Sequence, residues 1–221
     1  MQRIGTLSLN INTDDLNYGA LLHSYAFQRI LDRYGVENEI IDYTTPSLQD
    51  INLKYPSFGY LKKKDYYQTI ISIARSSSHA RRYERFREFR KQNMRVSKTH
   101  YFQATLSKAV LDYDTLVCES DVIWSPTFFN GTFDPTFFLA LPSMAKMKKI
   151  AYAASMGNAI LNDIQECEFR SLISGINSIS CRETYAAEYV KRIHGGDVDC
   201  VVDPVLLLTG DDYRSIISFF S

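Results

Sequence analysis

The apolar pattern changes period twice within the first 43 residues, and this restricts the chain to few folds. Ile4 to Leu9 alternates weakly, as a strand does. A polar loop follows from Asn10 to Asn17. From there Tyr18, Leu21, Leu22, Tyr25, Ala26 and Ile30 recur at helical spacing, and Gly35 stands where a helix closes in left-handed backbone. Glu39 to Tyr43 reads as a second strand. Strand, helix and strand in this order predict a right-handed crossover between parallel neighbours.

The same rhythm returns later. After a helix near Leu106–Leu111 come strands at Thr115–Cys118 and Lys149–Ala154, a helix at Asp163–Ile173, a strand at Ser178–Cys181 and a helix at Thr184–Ile193. A last strand at Cys200–Val202 is closed by Asp203-Pro204. Pro46–Tyr60 has loop character, Leu61 to about Arg95 is helical and charged, and Asp121–Pro142 is aromatic-rich and irregular. This alternation predicts an α/β class: a Rossmann-like, doubly wound, mostly parallel sheet. No internal repeat or low-complexity linker interrupts it.

Composition narrows the function. With 45% hydrophobic and 23% charged residues, 221 positions suffice for a real core. Lys+Arg and Asp+Glu are both 25, which argues against a dedicated nucleic-acid binder. The charge is uneven, however. Nine Lys/Arg and two acids fall between Arg75 and Lys98, leaving 16 basic and 23 acidic residues elsewhere. That segment reads first as a solvated helix face and second as a surface for a polyanion or an anionic membrane. No apolar run approaches the ~20 residues that span a bilayer. The opening MQRIGTLSLNINTDD lacks the apolar stretch of a secretory leader. The expectation is a cytoplasmic protein, with peripheral attachment at the inner face of the membrane as a variant. Cys118, Cys181 and Cys200 lie in strand-like runs and read as reduced core thiols, and neither the cysteines nor the four histidines form a zinc pattern.

In doubly wound sheets ligands bind outside the carboxyl ends of the strands, so residues just after each strand matter most. Asn17 can cap the first helix while Gly19 opens its first turn to an anion, or the two are a plain cap. Asp121 beside Trp124 suits a general base next to a ring that stacks on a sugar, or a turn cap next to a core indole. Arg182 can fork onto a phosphate or carboxylate, or pair with Glu183 or Asp203. GxGxxG is absent. The Asp-x-Asp pairs at 112/114 and 197/199 are set aside, because sixteen Asp in this length give about one such pair by chance.

Six stretches in order carry a resemblance. They are Asn17-Tyr-Gly-Ala-Leu-Leu-His-Ser-Tyr-Ala-Phe-Gln28, Tyr113 to Pro126, Phe133 to Leu139, Lys148 to Gly157, Ser178 to Glu183, and Val201 to Leu208. Together they resemble the polysaccharide pyruvyl transferase family along nearly the whole chain. One departure stands out: where that family usually has Gly-Ser-Asp-Gln, this sequence has Glu119-Ser120-Asp121-Val122. A Glu for Gly at a strand end adds charge and removes backbone freedom, which puts the usual acceptor pocket in question.

The resemblance implies a GT-B-like architecture of two Rossmann-like halves. Residues 1–208 would be the first half and 209–221 the start of the link, with the second half absent. It implies transfer of a pyruvyl group from phosphoenolpyruvate to two hydroxyls of a sugar or glycan acceptor, forming a ketal in cell-surface polysaccharide assembly. Asp121 is then the expected catalytic base. Asn17, Tyr18, Gly19, Ser120, Trp124, Ser155, Gly157 and Arg182 are the expected substrate contacts, with no cofactor and no metal. The tail is apolar at Tyr213, Ile216, Ile217 and Phe220. Without a partner domain it would favour self-association, and a lone half would be inactive. The alternatives are a nucleotide-sugar glycosyltransferase of the same shape and a non-catalytic binding domain, the latter favoured by Glu119 and the missing half.

Overall fold

In the computed structural model, which describes residues 2–9, 12 and 16–216, β1 (Arg3–Leu7) and β4 (Thr115–Glu119) are buried on both faces. They are the central strands of one sheet. Around them lie β2 (Glu37–Thr44), β3 (Val96–Phe102), β5 (Lys148–Ala154), β6 (Ser178–Cys181) and β7 (Val198–Cys200). The seven strands run in the order β3-β2-β1-β4-β5-β6-β7, and every described pair is parallel. The chain builds outward from β1 to one side, then returns to start again at β4. This reversal opens a crevice between the carboxyl ends of β1 and β4.

Side-chain alternation sends neighbouring residues to opposite layers. Ile4, Ile40 and Val117 face α1 (Tyr18–Arg33), and Ile40 also meets Phe86 and Phe89 of α4 (Ser76–Asn93). Leu7, Ile41, Leu116 and Cys118 face the other layer, formed by α6 (Asp163–Ile173), α7 (Thr184–His194) and the segment after β4. There Trp124, Phe133, Phe138 and Phe169 pack ring on ring, with centroids 5.4 to 5.6 Å apart.

Several expectations need correction. The charged stretch expected to be helical is so, in three pieces: the end of α2 (Ser57–Lys62), α3 (Tyr66–Ala74) and α4. It breaks where Lys64 takes φ 60° and again at Arg75. β3 was not foreseen, because its sequence VSKTHYF is polar on both faces, as an edge strand tolerates. The helix expected near Leu106–Leu111 is the short α5 (Gln103–Leu106). The last strand lies at Val198–Cys200, with Val201 just beyond it. Cys200 is exposed rather than a core thiol, because β7 is the opposite edge. In the tail, α8 (Gly210–Arg214) and Ile216 return to the α1–α4 cluster, while Ile217 and Phe220 lie outside the described residues, as does most of the loop expected from Asn10.

β5 carries a bulge near its carboxyl end. Ala151 pairs with Ile179 but Ala154 with Cys181, so β5 spends one residue more than β6. The surplus is absorbed by Ala153, fully buried at φ 51°. Ser180 Oγ repairs the ladder by accepting from Ala153 N at 3.1 Å and donating to Ala151 O at 3.2 Å. Left-handed backbone is worst for β-branched side chains. Ala153→Val, favourable in an ordinary strand, is therefore expected to destabilise by about 3 kcal/mol or more, with Ala153→Gly nearly neutral. Urea unfolding of the two variants checks this; equal effects would refute the bulge.

Candidate functional site at the switch point

β4 ends at Glu119, and both residues that follow take left-handed backbone, Ser120 at φ 47° and Asp121 at φ 57°. Two such non-glycine residues in succession cost of order 1–3 kcal/mol each. The turn is held by Ser120 N donating to Tyr152 O at 2.8 Å, Ser155 N to Asp121 O at 3.0 Å and Trp124 N to Ser155 O at 3.1 Å. The strain falls at the crevice and not at Glu119, so the residue that replaces the usual glycine is not the one that needs glycine's freedom.

The Glu119 side chain is fully buried. Its Oε2 accepts from His23 Nδ1 at 2.9 Å and its Oε1 from Ser24 Oγ at 2.8 Å. Ser24 Oγ is 2.5 Å from Ser8 Oγ, just past β1. His23 is itself buried, and its Nε2 lies 3.8 Å from Asp121 Oδ2, too long for a hydrogen bond. Burial alone would drive the His23 pKa down. The Glu119 and Asp121 carboxylates more than reverse this and hold it at about 10. A buried imidazolium thus stands between a fully enclosed carboxylate and one whose side chain is 24% exposed.

A second chain of contacts runs along the carboxyl ends of β4 to β7. Ser120 Oγ donates to Asp203 Oδ2 at 2.8 Å, and Arg182 Nη1 donates to the same oxygen at 2.9 Å. Arg182 Nε donates to Glu183 Oε1 at 3.2 Å, and Ser155 Oγ donates to that oxygen at 2.6 Å. Gly157 N donates to Ser155 Oγ at 3.0 Å. Burial would raise the Asp203 pKa, but the Val205 N–H, Arg182 and Ser120 hold it below the ordinary carboxylate range.

Ser120, Asp121, Ser155, Gly157 and Arg182 therefore gather in one network. Arg182 makes both ion pairs that had been weighed against a ligand role. Asn17, Tyr18 and Gly19 form the start of the helix that carries His23 and Ser24, with Asn17 Oδ1 accepting from Gly19 N at 2.9 Å. Trp124 is fully buried, its indole against Phe138 and Phe169 and its Nε1 donating to Phe137 O at 3.1 Å. It braces the loop from behind, so the stacking face expected of it lies inside the core. The pair Asp112 and Asp114 binds Arg3 at the amino end of the sheet, opposite the crevice.

Four partners were missed by sequence reasoning: Ser8, His23, Ser24 and Glu119 in its internal role. A signal existed. His23, Ser24 and Gln28 are polar residues on the buried face of an amphipathic helix, and such groups need partners.

An all-parallel doubly wound sheet defines a Rossmann-like domain, a class of fold in which ligands bind at the switch point where these charged and hydroxyl side chains gather. The model of the polysaccharide pyruvyl transferase family matches residues 17–221, and the chain belongs to that family of transferases. A comparison with curated proteins finds no match.

Removing His23 takes away the buried partner of the enclosed Glu119, and breaking a buried pair from one side costs about 3–5 kcal/mol. His23→Gln is expected to lose roughly that much, and adding Glu119→Gln to recover a large part. The pH dependence has a defined sign. The folded pKa of about 10 lies above the unfolded 6.5, so the stabilisation is complete below 6.5 and lost as pH rises through 10. Denaturant unfolding from pH 6 to 10 should show the wild type losing more stability than His23→Gln; parallel curves would refute a charged His23.

Proposed function

We propose that the chain takes part in transferring a pyruvyl group from phosphoenolpyruvate to two hydroxyls of a sugar, forming a cyclic ketal in cell-surface polysaccharide assembly. One observation supports this reading above the others. The Asp121 carboxylate stands part-exposed at the switch-point crevice with the buried His23 imidazolium behind it. In the reading, Asp121 takes the proton of the first sugar hydroxyl as its oxygen adds to C2 of the enol phosphate, C3 takes one proton from water to become a methyl group, and Asp121 returns its proton to water. The second hydroxyl then replaces the phosphate at C2, and its proton leaves with the phosphate. His23 is a positioning residue that fixes Asp121 by charge and carries no proton in the reaction.

Arg182, 30% exposed and held in plane by two carboxylates, offers its remaining edge to the donor's carboxylate or phosphate. The first turn of α1, with Asn17, Tyr18 and Gly19, turns the positive end of the helix dipole toward a sugar oxygen or anion. Ser120 and Ser155 shape the wall beside Asp121, and Gly157 keeps the loop after β5 low. Trp124 acts through the loop that it braces.

The test uses phosphoenolpyruvate with a panel of hexosides bearing a free 1,3-diol. Phosphate release and the ketal methyl signal in NMR are read together. Asp121→Asn is expected to lower kcat about 10²–10⁴-fold with unchanged unfolding. A change under about threefold would remove Asp121 from the chemistry.

A further inference from the structure

Helix α3 is turned inside out. Its buried residue is Thr69, whose hydroxyl donates to Asp65 O at 2.6 Å. Tyr66, Tyr67, Ile70 and Ile73 point outward instead, 62%, 72%, 69% and 59% exposed. A helix that covers a soluble core shows the reverse. Tyr66, Ile70 and Ile73 follow i, i+4, i+7 and form one stripe. The neighbouring α2 adds Phe58 and Leu61, 79% and 48% exposed. Exposed apolar groups scattered singly need no explanation, but a clustered set marks an interaction site.

The charge around this stripe is one-sided. From Ile51 to Tyr83 there are seven Lys/Arg and a single acid, Asp65, and of the seven Lys54 is paired with Glu84 of α4 at 2.6 Å. Asp65 is engaged as the cap of α3, its Oδ1 accepting from Gln68 N at 3.0 Å. Lys62, Lys63 and Lys64 are exposed at one end of the stripe, and Arg75, Arg81 and Arg82 at the other. Between the three helices lies a notch of about 350 Å³ lined by Arg75, Ser78, His79 and Arg82 among others, with the polar chemistry of a phosphate cradle.

We propose that α2, α3 and the start of α4 dock this protein on the surface of an anionic lipid bilayer. The aromatic and isoleucine side chains enter the acyl boundary, and the Lys and Arg side chains lie among the headgroup phosphates. The occupant follows from charge and polarity together. A polyanion without an apolar phase would leave Phe58, Ile70 and Ile73 in water. A second copy of the chain would set one positive face against another. Among the described residues no helix is long and apolar enough to cross a membrane, and α3 has nine residues, so contact is interfacial. The insertion leaves the sheet at the carboxyl end of β2, the end that also carries Asp121, and Phe86 of α4 packs on Tyr18 with centroids 4.6 Å apart. This docking stands on surface chemistry and does not rest on the proposed reaction.

Vesicle flotation tests it on the whole chain. The protein is expected to float with vesicles of phosphatidylcholine mixed with phosphatidylglycerol, to stay down with phosphatidylcholine alone, and to be released by added salt. Ile70→Asp is expected to lower the partition coefficient roughly tenfold or more. Lys62→Glu, Lys63→Glu and Lys64→Glu together should lower it roughly 100-fold. Ile70 is exposed, so thermal unfolding of Ile70→Asp should be unchanged, while the triple variant also gives up the bond from Lys63 Nζ to Ser47 O and is read only where it stays folded. No flotation on the anionic vesicles overturns the proposal. So does flotation that Ile70→Asp leaves intact, since binding would then be charge alone. Sedimentation velocity supplies the remaining arm: a dimer that Ile70→Asp dissociates, in a chain that does not float, assigns the face to a second copy instead.

Discussion

A carboxylate with no access to water must be met where it lies, and Glu119 is such a carboxylate at the centre of the sheet. Its partners all come from the β1 side of the switch point: His23 and Ser24 from the helix after β1, and through Ser24 the hydroxyl of Ser8. Burial of an unpaired carboxylate would cost more than a domain of this size can spare, so α1 has little freedom to rotate or slide relative to β4. The position of α1 in turn sets where Asn17, Tyr18 and Gly19 stand over the crevice. The pair also bears on the alternative of a non-catalytic domain. The charge that Glu119 adds is met within the protein by His23, and in the proposed reading the carboxylate that meets the ligand is Asp121.

The periodic parts of the fold were legible because local and tertiary signals agree there. α6 spans Asp163–Ile173 as expected, since the Asn162–Gln165 capping box marks its start and Phe169 and Ile173 fix its buried face. β6 likewise matches at Ser178–Cys181. Legibility fell where tertiary context decides. β3 earns its place only by lying beside β2, for its own residues do not separate two faces. In the site, Ser120, Asp121, Ser155 and Arg182 could be named because strand ends can be named. His23 could not, because its partner is 96 residues away: its place on the buried helix face signals the need for a partner and not which residue supplies it.

The basic segment shows the same limit from another side. Residues 75–98 read as a solvated helix face, and α4 does keep Phe86 and Phe89 inward and Arg81, Arg82, Arg85 and Arg87 out. The unusual element is its neighbour α3, where composition gives no warning because isoleucine and tyrosine are ordinary core residues. Only the burial of Thr69 in place of Ile70 reveals the inversion. Apolar residues that face outward add no burial to the fold and favour association, and their place beside lysines and arginines points to a use outside the fold.

The two strained strand ends make a related argument about rigidity. Ala153 on β5 and Ser120 and Asp121 on β4 all hold left-handed backbone, and the segments are joined by Ser120 N to Tyr152 O and Ser155 N to Asp121 O. Each deviation is therefore braced by the other strand, and neither can relax alone. The bulge delivers Ser155 to the position where its N–H holds the Asp121 carbonyl and its hydroxyl holds Glu183. Glu183 then fixes Arg182, and Arg182 fixes Asp203, which returns to Ser120. The loop of contacts closes on the residue beside Asp121. A carboxylate carried on a turn would ordinarily wander; here the turn is over-determined by two strands, three ion-paired side chains and a buried imidazolium. Strain of a few kcal/mol persists at such a place because the surrounding bonds would all have to break to release it.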